Sequence, residues 1–513
     1  LSLEREGSND ELLATVCHHY PWPHLHVLRQ IMEYPIAIIA GTIYGFVFGI
    51  IPVAGAATAL ITIFPFLNYF LADPYLLVVF TTAIVVSSTV GDSFASVMMN
   101  IPGASGSAAT MVDGFPMAQR GEGARALSAA ITTSTVNGFI WGALVFLFLP
   151  YYGQFVLKFG LPEMLAFLLL AFSGVVFLNS EYWVRGIIAL ILGVFLGLIG
   201  QDPVSGAARF TGGWYYLQNG IQIMPVMAGF LAVPELIEAY NSKGQITRID
   251  TAGIWRQIWQ GMKDSWQHRW DGLRGGFIGA FVGILPGVGG NICDWLAYGQ
   301  TVALNKNEKI PFGEGNIKGV IGCEGANNAQ KATAYVPTVL FGIPAAPFEA
   351  IIMSLFILVG LELGSPALLN DLTFFNNLSN AYMWSMLLTF VISIVFIRFA
   401  VKLMNVPFNY YFWLLLALVL WSSVQYTGYW EDYAMFALCC GAGILAKRFK
   451  FSRAAIIIGF VLSDRLEATL RQYNMLYEWN DIFARPISAT LLFVTLVAII
   501  YGLFFNKSQV KYV

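Results

Sequence analysis

The chain has 513 residues, 57% of them hydrophobic and only 11% charged, with a formal net charge of −2. A soluble domain carries about 25% charged residues. A water-covered surface is therefore excluded, and lipid is the solvent that tolerates apolar runs along a whole chain. The near-neutral balance gives no electrostatic footprint for nucleic acid.

Residues 1–24 read as a polar tail, whose first fifteen residues lack the basic start and apolar core of a secretory signal. His18, His19, His24 and His26 gather beside Cys17 in a Pro-rich segment with no supporting carboxylate, so no transition-metal site is expected. Residues 25–34 predict a short interfacial helix. Apolar spans follow near 35–51, 56–72, 75–90, 126–149, 164–179, 186–200 and 221–233, then near 275–304, 319–362, 382–397, 408–424, 431–446, 454–463 and 487–505. Several fall short of the roughly 20 residues a spanning helix needs. Some are therefore predicted to be re-entrant or broken, leaving about ten to twelve crossings in an all-α membrane fold.

The polar break at 241–274 carries Lys243, Arg248, Arg256, Lys263, Arg269 and Arg274 against Asp250, Asp264 and Asp271. Positive loops tend to stay cytoplasmic, which places this break inside. Trp255, Trp259, Met262, Trp266 and Trp270 recur at helical spacing and predict a helix in the membrane interface, Trp face down. Packing against the bundle is the alternative. The organisation expected is a tail with interfacial helix (1–34), a first membrane repeat (35–240), an amphipathic linker (241–274) and a second membrane repeat (275–513).

An internal repeat supports that division. GTIYGFVFGIIPVAG (41–55) aligns with GGFIGAFVGILPGVG (275–289) at one offset, matching Gly41, Gly45 and Gly49 with Gly275, Gly279 and Gly283. Ile50, Pro52 and Gly55 match Ile284, Pro286 and Gly289. Gly-x-x-x-Gly lets helices approach closely. A second break follows in each half, NIPGASGS (100–107) and GIPAAP (342–347). Paired Gly/Pro interruptions in corresponding apolar segments point to a transporter's binding site. Broken helices free backbone N–H and C=O groups inside the membrane, where a substrate or an ion can become their partner. Helix N-termini suit carboxylates and exposed carbonyls suit sodium. Whether the halves run parallel or inverted is open from the repeat alone; inverted is the expectation.

Around the first break, Asn100, Pro102, Gly103, Ser105, Gly106, Ser107 and Thr110 offer hydroxyls, an amide and close backbone approach to a carboxylate, with Pro344 at the matching break. Pro52, Gly55, Pro286, Gly287, Gly289 and Gly290 read as hairpin tips or broken-helix joints, and Asn327 and Asn328, after Glu324, as amides able to ligate an ion. Helix packing is the alternative for all of them. Asp113, before Gly-Phe-Pro, reads as a loop cap. The five cysteines form no C-x-x-C pair, and H-E-x-x-H, Walker A and G-x-G-x-x-G motifs are missing. The chain is therefore not expected to be an enzyme or to hydrolyse ATP; no cofactor is expected beyond a coupling ion, Na+ or H+.

From about residue 35 to 505 the chain resembles the large membrane subunit (TctA-type) of the tripartite tricarboxylate transporters. The resemblance is carried by NIPGASGSAATMVDGFPMAQRGEGARAL (100–127), QDPVSGAARFT (201–211), GILPGVGG (283–290), GEGNIKGVIGCEGANNA (313–329) and LFGIPA (340–345). It implies an ion-driven secondary transporter for a di- or tricarboxylate. It also implies two partners, a small membrane subunit and a periplasmic solute-binding protein, and a bacterial inner membrane. Asp92, Asp294, Lys331, Ala332-Thr333, Ala345 and Glu349 depart from the residues usual in the family. Charges inside spans are costly and face polar cavities. Either they compensate one another, or they retune substrate or ion choice, with Lys331 meeting a carboxylate and Asp92 or Asp294 carrying a coupling proton. A passive channel, or an assembly subunit that has lost transport, are the other classes open.

Overall fold

The apolar runs become helices, because a backbone in lipid has to satisfy its own hydrogen bonds. The computed structural model describes residues 22–51, 54–101, 107–156, 159–178, 182–202, 206–241, 253–287, 290–404, 408–424 and 429–504. The helices that matter here are α1 (Trp22–Ile50), α2 (Gly55–Ile61), α3 (Pro74–Met99), α4 (Ala108–Gln119), α5 (Gly123–Val156), α6 (Leu161–Ser173), α7 (Trp183–Gly197) and α8 (Val233–Asn241). They continue with α9 (Ile254–Gln267), α10 (Arg269–Gly283), α11 (Gly290–Leu304), α12 (Ile317–Tyr335), α13 (Pro347–Leu358) and α14 (Leu372–Met404). The last are α15 (Phe408–Val424), α16 (Glu431–Arg448), α17 (Arg453–Leu476) and α18 (Pro486–Phe504). A two-residue hairpin, β1 (Gly200–Gln201) against β2 (Ala208–Arg209), is the strand pairing among the described residues.

Five stretches, Met32–Ile50, Pro74–Met99, Gly123–Tyr152, Leu372–Ala400 and Pro486–Leu503, are long and apolar enough to cross a membrane, and shorter apolar helices accompany them. The chain is an all-α membrane protein. One expectation is corrected. Residues 25–34 form no separate interfacial helix: α1 runs unbroken through Pro35, whose missing N–H costs one helical hydrogen bond without ending the helix. Helix α10 begins at Arg269, within the stretch 241–274 read as the linker.

The six repeat glycines set the core. A Cβ on Gly41, Gly45 or Gly49 would collide with the backbone oxygens of Phe80, Ile84 and Ser88, one turn apart along α3. A Cβ on Gly275, Gly279 or Gly283 would collide in the same way with those of Gly322, Ala326 and Gln330 along α12. Both pairs, α1 with α3 and α10 with α12, therefore run parallel at backbone contact. A parallel pair requires a return between its members: α2 supplies it in the first half and α11 in the second.

The two central helices cross antiparallel. Ser93 meets Glu324, Thr89 meets Asn327 and Thr82 meets Tyr335, so α3 descends as α12 ascends. The following helices α5 and α14 are antiparallel as well, with Gly138 against Met386 and Gly142 against Tyr382. α12 is buried along nearly its whole length although it carries Glu324, Asn327, Asn328, Gln330 and Lys331.

The two ends differ in charge. At one end Tyr34 donates to Asp73, Tyr75 to Asp371, Tyr216 to Asp432, and Arg471 pairs with Asp202 and Glu467. At the other, Arg120, Arg125, Arg256, Lys263, Lys318 and Arg269 lie on α5, α9, α10, α12 and the turn after α4. There α9 packs one face on the start of α5, through Arg125 Nε to Asp264 at 2.6 Å, and leaves Trp255, Trp259 and Trp266 exposed; Trp270, on the next helix, is exposed beside them.

A buried polar crossing as candidate substrate and ion site

Helix α3 is apolar at its start and turns polar at Ser87-Ser88-Thr89, then Asp92, Ser93 and Ser96, all buried. Those residues meet the polar stretch of α12 where the helices cross. Glu324 is fully buried at the centre. Its carboxylate accepts from Ser93 Oγ at 2.8 Å, from Thr110 Oγ1 at 2.7 Å and from Asn327 Nδ2 at 3.3 Å. Thr110 lies in the first turn of α4, directly after the first break, so that break abuts the crossing. Ser107, the residue before α4, is buried and accepts from Ser96 Oγ at 2.8 Å. Three hydrogen-bond partners satisfy this carboxyl group, which a buried polar group requires.

Around this centre the polar groups are less complete. Asp92, Asp294 and Glu349 are buried, and one oxygen of Asp92 and both oxygens of Asp294 and Glu349 have no hydrogen-bond partner. The Cys293 thiol lies alongside Asp294, and Glu349 sits beside the backbone N–H groups of the first turn of α13 without reaching hydrogen-bond geometry. All three acids stand within electrostatic reach of Lys331. The Lys331 ammonium lies 4.2 Å from the centroid of the Phe348 ring and forms no ion pair among the described residues. The oxygens of Asn328 and Gln330 are likewise buried without partners.

The structure thus gathers Ser107, Thr110, Asn327, Asp92, Asp294 and Lys331 from the sequence expectations. Asn100 stands apart: it ends α3 with a left-handed φ of 54°, is exposed, and serves as the helix's C-terminal residue. Asn328 donates to Ser134 of α5 at 3.1 Å, and Ser134 in turn lies beside Glu324. Gly55 and Gly287, with φ of 49° and 76°, make turns beyond α1 and α10; Pro286 is buried in the second of these, and Gly290 opens α11. Pro344 is buried in the non-helical stretch between α12 and α13. Pro52, Pro102, Gly103, Ser105, Gly106 and Gly289 lie outside the described residues, as do the side chains of the N-terminal histidines. Asp113 belongs to helix α4 and caps a distant loop, accepting from the N–H groups of Gly313, Gly315 and Asn316. Sequence reasoning passed over Ser93, Ser96 and Glu324 as site residues; the signal was the polar run 87–96 inside an apolar span.

A flank groove of about 410 Å³ lies between α5, α10 and the end of α12, lined by Trp141, Phe148, Phe277, Phe281 and Leu340. Its walls are almost wholly apolar, which suits acyl chains and not a carboxylate.

Comparison with known proteins agrees with this picture. The profile of the Tripartite tricarboxylate transporter TctA family matches residues 36–458. An uncharacterized 52.8 kDa protein of the TAR-I ttuC' 3' region of Agrobacterium vitis is 29% identical over 477 residues, covering 91% of this chain and 92% of that protein. An uncharacterized protein of the TAR-II ttuC' 3' region of the same organism is 32% identical over 226 residues, covering 43% of this chain and 91% of that protein. No solved structure gives a significant match.

Proposed function

Because the chain belongs to the tripartite tricarboxylate transporter TctA family, we propose that it is the membrane subunit that moves a di- or tricarboxylate inward on an ion gradient. The family is one of transporters, and the chain is a multi-pass membrane protein. The observation that carries the reading is the polar crossing of α3 and α12: a fully buried, three-donor carboxylate with unpartnered polar groups around it, enclosed by the helix bundle. Such groups are expensive in a bilayer unless they serve a translocated ligand.

Two inverted halves would explain the architecture. The parallel pairs α1–α3 and α10–α12, each with a short return, and the antiparallel relations of α3 to α12 and α5 to α14, support that reading. The site then lies where the halves meet, as in other transporters built from inverted repeats. Ser107 and Thr110, with backbone groups of the first break, would receive the carboxylate, and Asn327 would face the ion path. The basic end with α9 would face the cytoplasm of a bacterial inner membrane, and the acidic end the periplasm. A small membrane subunit and a periplasmic solute-binding protein would complete the system.

Proteoliposomes containing the chain, with and without those two partners, should be loaded under imposed Na+ or H+ gradients and assayed with labelled citrate and succinate. Accumulation that requires a gradient and the binding protein is expected. Downhill flux insensitive to any gradient would replace the reading by a passive channel.

A further inference from the structure

Asp92 on α3, Asp294 on α11 and Glu349 on α13, each buried with unpartnered carboxylate oxygen, lie within electrostatic range of Lys331 on α12, and none of them is close enough to form an ion pair with it. None of the other titratable groups beside them is a cation: Glu324 faces Asp92 and Asp294, Glu235 faces Asp92, the Tyr335 phenol faces Glu349, and the Cys293 thiol beside Asp294 offers it no more than a weak S–H contact. One ammonium can offset one of the three charges. The acids are 5%, 2% and 3% exposed, whereas Lys331 is only partly buried.

We propose that Lys331 is a shared counter-ion for which a substrate carboxylate competes with Asp92, Asp294 and Glu349, so that substrate binding makes these acids take up a proton. The inference rests on the carboxylate reading above and gives it an ion. The substrate carboxylate pairs with the Lys331 ammonium. The acid that loses that compensation takes H+ from the outer solution onto one carboxylate oxygen, because a bare buried carboxylate is too costly. On the inner side the substrate leaves Lys331, the proton leaves the acid, and the cation returns to it. A proton needs a single oxygen. The acids lie on three separate elements, and among the described residues no three acidic, histidine or cysteine side chains gather for a metal ion.

The test compares the full-length wild type with Lys331→Gln and Lys331→Arg in lipid bilayers at pH 7, by the infrared carbonyl stretch of protonated carboxylic acids. Lys331→Gln should gain intensity in that band without any substrate, the gain should be lost when Asp92→Asn, Asp294→Asn and Glu349→Gln are added together, and Lys331→Arg should match the wild type. Equal thermal unfolding of Lys331→Arg and wild type guards against misfolding. An unchanged band in folded Lys331→Gln overturns the shared counter-ion. In lightly buffered solution, citrate or succinate added to wild type should cause net proton uptake, and affinity should fall by up to about tenfold per pH unit for one linked proton. Binding without proton uptake overturns the coupling. An infrared gain with no binding of either acid upholds the counter-ion and overturns the carboxylate reading instead.

Discussion

Thr110 donates to Glu324 at 2.7 Å across 214 residues of sequence, joining the helix after the first break to the central helix of the second half. The bond ties the break to the crossing. In the proposed cycle, motion of one half against the other would stretch or exchange it, and the pair would report that motion.

Thr110→Val keeps the shape and removes the donor. Glu324 retains Ser93 and Asn327, so the expected loss is about 1–2 kcal/mol, the cost of one missing hydrogen bond to a charged group. Thermal unfolding in detergent should show a lowered midpoint, and an unchanged midpoint would remove Thr110 from the network.

Gly279→Ala should destabilise the protein by about 1–3 kcal/mol, since its Cβ would strike the backbone of Ala326. Gly299→Ala is the control: nothing lies within 4 Å of its added Cβ, and alanine favours the helix by up to about 1 kcal/mol. Thermal melts of the two variants should move in opposite directions.

Asp264→Ala should loosen α9 from α5. It leaves Arg125 without its 2.6 Å partner and Gln260 without an acceptor. Proteolysis within 253–268 should accelerate while the core resists. Equal cleavage of variant and wild type would show that lipid contact of the Trp face alone holds the helix.

At the acidic end, the Arg209 hydrogen bond holds the Glu467 carboxyl below its ordinary range, and Arg471 adds to the effect. A depressed carboxyl stabilises the fold above its unfolded pKa and loses that contribution as pH falls through its folded value. The stability difference between wild type and Arg209→Gln should therefore be present at neutral pH and vanish in acid. A difference that persists below the carboxylate range would assign Arg209 a packing role.

Much of this fold is legible in the sequence, for nameable reasons. The glycine triplets 41/45/49 and 275/279/283 announce backbone contact, and each meets a carbonyl ladder. The breaks at 100–107 and 342–347 coincide with helix ends at Met99 and Phe341. Helix α12 is harder to read, because a fully enclosed helix need not be hydrophobic, and Glu324 is understood only when Ser93 and Thr110 arrive from the other half. The role of Asn100 in the fold is not legible either: it ends a helix in a left-handed conformation that asparagine tolerates, which its motif in the sequence does not reveal.

The most direct test of the central claim is gradient-driven uptake of labelled citrate and succinate by the complete three-component system carrying either wild type or Glu324→Gln. The substitution preserves size and replaces the buried carboxyl group that three donors converge on. Wild type should accumulate a carboxylate while the correctly folded variant loses at least about tenfold of that rate, equivalent to about 1.4 kcal/mol. Uptake by Glu324→Gln at the wild-type rate would contradict the claim that the α3–α12 crossing is the transport site.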